Sequence, residues 1–301
     1  MKVLIAGGSG FLGTALRKSL SKTSQEVFIL TRRTPKNTNE IQWDGKTANG
    51  WGDRINEIDA VVNLTGFGLE HWPWTKHQKQ KFIDSRVLPG RALVSAIKKA
   101  SHRPHVFLQT SGINRYGLRG EGMADESTPP AGDFLAQLTV PWEDATQPVE
   151  DLGIRRVITR NAVVLARKDG LFPLMTLAPR LFVGGTFGDG KQAMPWIHVE
   201  DQTNAMRFLL ENENAHGPFN LISPHPTSSA EFMHAVCKTL RRPYWFHVPR
   251  FLLRLMMGEM SNLLTEGRYS QPKRLIELGF QFQFGKLEHA MEDLLVRTST
   301  G

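Results

Sequence analysis

Gly7-Gly8-Ser9-Gly10-Phe11-Leu12-Gly13-Thr14-Ala15 decides how the chain folds. The run Val3-Leu4-Ile5-Ala6 ahead of it is short and apolar, as a buried parallel strand requires. Behind it, Leu12, Ala15, Leu16 and Leu20 recur at helical spacing. The stretch therefore reads as strand, glycine turn, helix. Gly7, Gly10 and Gly13 stand at G-x-x-G-x-x-G spacing, where side chains would keep the backbone from approaching a pyrophosphate, and Gly13 lets the helix lie close to the strand. The helix start adds free N–H donors and the positive end of a dipole, so Gly7, Gly10, Phe11, Leu12 and Gly13 are the expected dinucleotide contacts. Glycines also build ordinary turns. The strand before this turn and a second strand after it favour the dinucleotide reading.

That second strand, 26–30, ends in Thr31-Arg32-Arg33. A site selective for NAD places a carboxylate near this strand end to accept the ribose 2′-hydroxyl. Two guanidiniums stand there instead, and arginine can grip a 2′-phosphate bidentately, whereas a carboxylate would repel it. The alternative is a solvated basic strand end. After a glycine turn, the pair points to NADP(H).

The chain has 301 residues, enough for one large α/β domain or a core plus a smaller domain. No apolar run is long enough to span a bilayer, and the first strand begins at Lys2 with no cleavable leader, so a soluble, cytoplasmic protein without membrane contact is expected. Cys237 is the single cysteine, which excludes internal disulfides and cysteine-based metal clusters; no metal is expected. The net charge of +8 is scattered in short pairs without interleaved aromatics, which argues against nucleic acid and is accounted for by an anionic cofactor and solubility.

Further strands are expected at 41–43, 60–64, 105–110, 157–159, 162–165, 195–198 and 219–222. Helices are expected at 76–100, 134–152 and 201–210, the last a capped helix opening at Asp201, and Thr227, Ser228 and Ser229 offer hydroxyl caps with Glu231 placed for a capping box. In a doubly wound sheet the strand C-termini line the ligand crevice, so Leu64, Thr65, Gly66 and Ser111 fall along the cofactor. The aromatic loop 67–74 is either a substrate lid or a packed surface loop, and 117–132 reads as a loop over the site. Beyond Leu171 the pattern changes to Pro/Gly-rich loops and short helices. The expected division is a nucleotide-binding core at 1–170, with strands returning from about 190–225, and a mainly helical cap at 171–301.

Taken in order, GGSGFLG at Gly7, NLTG at Asn63, SRV at Ser85, TSG at Thr110, PPAGDFLA at Pro129, WED at Trp142, RNAVVL at Arg160, the run from Gly184 to Asp201 and GRYSQPKRLIELGF at Gly267 resemble the atypical, epimerase-like branch of the extended short-chain dehydrogenase/reductases. The resemblance spans almost the whole chain and implies a Rossmann-type doubly wound parallel sheet with a C-terminal domain of unknown function at about 245–295. It carries cofactor binding to Thr31, Arg32, Leu64, Thr65, Arg86 and Val164. For Arg86 the other reading is a solvated helical arginine, and for His198, in the family's WIH segment, a structural histidine. Where that branch often has glutamate, arginine and threonine, this chain has Phe67, Pro73 and Gly90, all near the expected substrate.

Short-chain dehydrogenases commonly use a tyrosine whose pKa is lowered by a lysine four residues on, because a phenol near pKa 10 is otherwise a poor base. The corresponding positions here are Leu135 and Thr139. Tyr269 and Lys273 have the right spacing but are interrupted by Pro272 and lie in the cap. Ser111, to polarise a carbonyl, and Tyr116, to donate a proton, are the remaining candidates; each also has an ordinary structural reading. The expected activity is an NADP(H)-binding, epimerase-like oxidoreductase acting on a small molecule. The alternative is a non-catalytic NADP(H) sensor acting through a protein partner.

Overall fold

The computed structural model describes residues 1–296; the last residues of the expected cap, 297–301, lie outside them. The apolar runs become β1 (Lys2–Ala6), β2 (Glu26–Thr31), β3 (Glu40–Gln42), β4 (Ala60–Asn63), β5 (Val106–Gly112) and β6 (Arg155–Asn161). Three short strands follow, β7 (Val163–Leu165), β8 (Gly184–Phe187) and β9 (Trp196–His198), before β10 (Gly217–Leu221) and β11 (Tyr244–Val248). Seven strands form one parallel sheet in the order β10-β6-β5-β4-β1-β2-β3. β11 pairs with β8, and β7 with β9.

The helices are α1 (Phe11–Ser21), α2 (Lys76–Lys99), α3 (Phe134–Asp144), α4 (Phe172–Met175), α5 (Leu177–Arg180), α6 (Val199–Glu211), α7 (Ser229–Leu240), α8 (Arg250–Met257), α9 (Asn262–Thr265), α10 (Lys273–Glu277) and α11 (Leu287–Leu295). Parallel strands must be covered on both faces, and they are. Leu16 and Leu20 of α1 pack with Met206 and Leu209 of α6 against Val3 and Ile5, while Leu93 and Ile97 of α2 pack with Trp51 against Leu4 and Phe107. A third core under the cap joins Phe172, Trp196, Phe232 and Met291. No helix among the described residues is long and apolar enough to cross a membrane.

Two expectations are corrected. The helix expected over 134–152 ends at Asp144, and 147–152 forms a separate 3₁₀ turn with Pro148 in its opening positions. The helix expected to open at Asp201 is α6, which begins at Val199, and its cap is His198, whose Nδ1 accepts the Glu200 N–H at 3.2 Å. Asp201 instead turns to the C-terminal segment, where its two oxygens accept the Gln283 and Phe284 N–H groups, each at 2.8 Å.

Candidate dinucleotide-binding site

The sheet order reverses between β1 and β4, so their two C-terminal connections diverge and open a crevice. The glycine turn occupies it. Gly7 has φ +83°, and a Cβ there would stand 3.0 Å from the Leu64 carbonyl carbon, so the turn and the β4 connection are in close approach. A Cβ on Gly13 would fall 2.4 Å from Gly7 O and 2.6 Å from Gly8 Cα, which fixes how near α1 lies to the turn. Sequence reasoning left Gly8 unassigned, although a side chain there would meet Ile29 of β2 at 2.4 Å. The helix cap is Gly10, with no capping side chain and no acidic residue in the first turn. The α1 N-terminus thus keeps its donors and positive dipole end for an external anion.

At the end of β2, Thr31 is buried and its hydroxyl accepts the Arg33 N–H at 3.2 Å, while Arg32 and Arg33 are both exposed. Thr31 sets the turn and leaves both guanidiniums free to reach a ligand. At the end of β4, Asn63 Oδ1 accepts from Thr65 Oγ1 (2.6 Å) and Thr65 N (3.2 Å), and Asn63 Nδ2 donates to Gln109 Oε1 at 3.0 Å. This buried amide pair fixes Leu64, Thr65 and Gly66. It was missed in the sequence, where nothing distinguishes an amide inside an apolar strand from a solvated one.

Arg86 is 7% exposed and is not a solvated helical arginine. Its Nη1 donates to Phe67 O (2.9 Å) and Phe82 O (3.0 Å), its guanidinium lies 4.8 Å from the Trp142 ring centroid, and its Nε is buried without an acceptor. Burial pulls its pKa down to about 10, so it remains charged at neutral pH. A Cβ on Gly66 would lie 3.5 Å from Nη2, which places the guanidinium against the β4 connection. Such a cation is suited to an anionic ligand. The loop 67–74 beside it is packed: Phe67 stacks on His71, and Trp74 meets Phe82 and Phe134 edge-on.

Ser111 and Tyr116 are brought together, but by a buried network that sequence reasoning did not foresee. Ser111 Oγ donates to Glu143 Oε1 at 2.7 Å; Arg160 grips both oxygens of Glu143 at 3.0 Å, and Arg115 Nη1 stands 3.4 Å away. Tyr116 is fully buried, accepts from Arg160 Nη1 at 2.8 Å and donates to Asn220 Oδ1 at 2.7 Å. Burial pushes its phenol up to about 12, so the proton is held. Removing one partner of a buried pair leaves the other charge uncompensated. Glu143→Leu is accordingly expected to cost about 3–5 kcal/mol in urea unfolding, with Arg160 the stranded charge.

Leu135 and Thr139 are both buried in α3, and the Thr139 hydroxyl donates to Ala136 O at 2.6 Å. Tyr269 and Lys273 do not form a unit: the tyrosine donates to Lys191 O, and the lysine pairs with Asp125. Val164 lies in β7, paired with Ile197; its carbonyl and the Phe11 ring both flank Gly170, so it borders the glycine turn.

His198 is 1% exposed, its ring centroid 3.9 Å from that of Phe284 in a tilted arrangement, with Nε2 3.3 Å from Asp293 Oδ2. Burial outweighs the carboxylate and lowers its pKa from 6.5 to about 4. The unfolded chain therefore binds this proton first, and the stability contributed by neutral His198 is present above pH 6.5 and lost as pH falls towards 4. Thermal melts of the protein and of His198→Asn, which keeps a capping acceptor, should diverge above pH 6 and converge towards pH 4, with a difference of a few kcal/mol at most, on the order of 1.4 kcal/mol per pKa unit.

Comparison with known proteins shows the family. Residues 3–141 match the NAD dependent epimerase/dehydratase family, and 248–294 match a domain of unknown function, DUF1731. The chain is 34% identical over 305 residues to epimerase family protein YfhF of Bacillus subtilis, covering 100% of both. It belongs to the epimerase family. A Mycobacterium leprae epimerase family protein, ML0860, is 34% identical over 298 residues, covering 99% of this chain and 96% of its own. Among solved structures, human epimerase family protein SDR39U1 with NADPH superposes with a TM-score of 0.89 at 29% identity, covering 98% of this chain and 99% of that one. The Corynebacterium glutamicum nucleoside-diphosphate sugar epimerase gives 0.80 at 27%, with 98% of this chain and 58% of that chain covered. The Rossmann-type sheet expected from the sequence is the fold of this epimerase-family chain.

Proposed function

We propose that this chain binds NADP(H) in the β1/β4 crevice and acts as an epimerase-like oxidoreductase on a small carbonyl or hydroxyl compound. The observation that carries the reading is the cradle itself: glycines whose Cβ atoms would fill it, an uncapped α1 N-terminus, and Arg32 and Arg33 exposed at the end of β2. Gly7, Gly10, Phe11, Leu12 and Gly13 would hold the diphosphate, Arg32 and Arg33 the 2′-phosphate, and Leu64, Thr65, Gly66, Arg86 and Val164 the remainder. Bound there, the cofactor would supply or accept hydride. The NADPH in the human relative supports the choice of nucleotide.

Ser111, at the end of β5, is the group proposed to orient the substrate, with Glu143 holding its hydroxyl in place. The burial of Tyr116 and its raised pKa favour a bracing role for that residue. A second reading, an NADP(H) sensor working through a protein partner, is favoured by Leu135 and Thr139, neither of which can act as acid or base at those positions. Following NADPH absorbance against quinones, aldehydes and nucleotide sugars tests the choice. Turnover that falls in Ser111→Ala at unchanged NADPH affinity supports the enzyme. Tight NADPH binding without turnover of any carbonyl class supports the sensor.

A further inference from the structure

The cap carries exposed apolar side chains that are not among the residues assigned to the nucleotide. Most of the large apolar side chains exposed among the described residues come from two segments, 171–183 and 245–256. In the first, Leu171, Leu174, Leu177 and Leu181 recur every three or four residues along α4 and α5, and Leu174 is 67% exposed. In α8, Phe251, Leu252, Leu255 and Met256 share one helical face, with Phe251 72% and Leu255 81% exposed. A helix this short buries only Leu253 against the protein. β11 links the two segments: it pairs with β8, Trp245 Nε1 donates to Phe182 O at 3.0 Å, and Pro249 leads directly into α8.

Charge singles out the occupant. Neither 171–183 nor 241–258 contains a carboxylate, whereas Arg180, Arg241, Arg242, Arg250 and Arg254 lie within them. Asp169 and Asp189 flank the first segment; beyond the second, Glu259 pairs with Lys79 and Glu266 with Arg119 and Arg250, so Arg250 is already neutralised and Arg180, Arg241, Arg242 and Arg254 supply the positive charge. Monomeric soluble proteins rarely leave large contiguous apolar patches open, and an apolar helical face flanked by arginines is the form that lies in the plane of an anionic membrane surface. The exposed Trp245 suits the headgroup level, and each arginine near such a surface adds attraction.

We propose that this face of the cap docks on an anionic phospholipid bilayer, with α8 lying in the interface. The sequence conceals the feature because no single run spans a membrane; the two apolar segments are brought together only by β11, which meets Phe182 through Trp245 at one end and leads into α8 at the other. Flotation of the full chain with vesicles of phosphatidylcholine, alone or mixed with phosphatidylglycerol, tests it, and NADPH titration checks that variants remain folded. The expected result is binding to the mixed vesicles only, released by raised salt. Phe251→Asp combined with Leu255→Asp should lower the bound fraction by about 10-fold or more. Arg254→Glu, which leaves the apolar face intact, should weaken binding by about 5-fold or more. The proposal is overturned if the mixed vesicles carry no protein, if charge and salt make no difference, or if the double variant binds as well as the parent. It is also overturned if light scattering finds a dimer that the double variant splits, since a second copy would then cover the face.

Discussion

Gly13→Ala is expected to raise the dissociation constant for NADPH by about 100-fold, roughly 3 kcal/mol. The added Cβ would sit 2.4 Å from Gly7 O and 2.6 Å from Gly8 Cα, backbone atoms that cannot rotate away as a side-chain tip can. Either α1 or the glycine turn must shift, and the donors at the helix start then no longer converge on the diphosphate. The same crowding should lower stability by about 1–3 kcal/mol, the usual penalty for overpacking. Gly10→Ala is the informative contrast. Its Cβ would approach Gly7 O only to 3.4 Å, so the free protein should retain its stability while NADPH affinity falls, because the methyl group would stand where the diphosphate is proposed to bind. Urea melts with and without NADPH separate the two effects; equal stability loss in both variants would contradict the close-approach argument.

Arg32→Glu is expected to lower NADPH affinity by about 100-fold or more, since each hydrogen bond to a charged group contributes roughly 1.5–3 kcal/mol and the new carboxylate repels the 2′-phosphate. NADH, which has no phosphate there, should change by a few-fold at most. Arg32 is exposed and its replacement removes no packing, so the folded state itself should be unaffected. Calorimetric titration with both nucleotides checks this. Equal losses for the two would make the arginine pair an ordinary solvated strand end.

The nucleotide half of the molecule was legible because its signals are local. The apolar run before Gly7, the glycine spacing and the helical period through Leu20 fall within one short stretch, and β1 and α1 form where that stretch requires them. Positions whose restraints come from far along the chain were less legible, in the core as in the cap. Asp201 stands where a helix is expected to open, yet its carboxylate is taken by backbone donors more than eighty positions away. Tyr116 beside Gly117 reads equally as a proton donor or as packing, and only the contacts with Arg160 and Asn220 decide its surroundings. Arg86 shows the same limit: its helix position allows a solvated side chain, and the Trp142 ring and the Phe67 carbonyl that enclose it lie on other elements.

The account rests on the β1/β4 crevice being a site for a phosphorylated dinucleotide. Titrating the purified protein with NADPH and NADH, followed by nicotinamide fluorescence, tests that directly. Saturable binding of NADPH, at least ten-fold tighter than that of NADH by roughly the worth of one charged contact, is the predicted result. No measurable affinity for NADPH or NADP⁺ would contradict it.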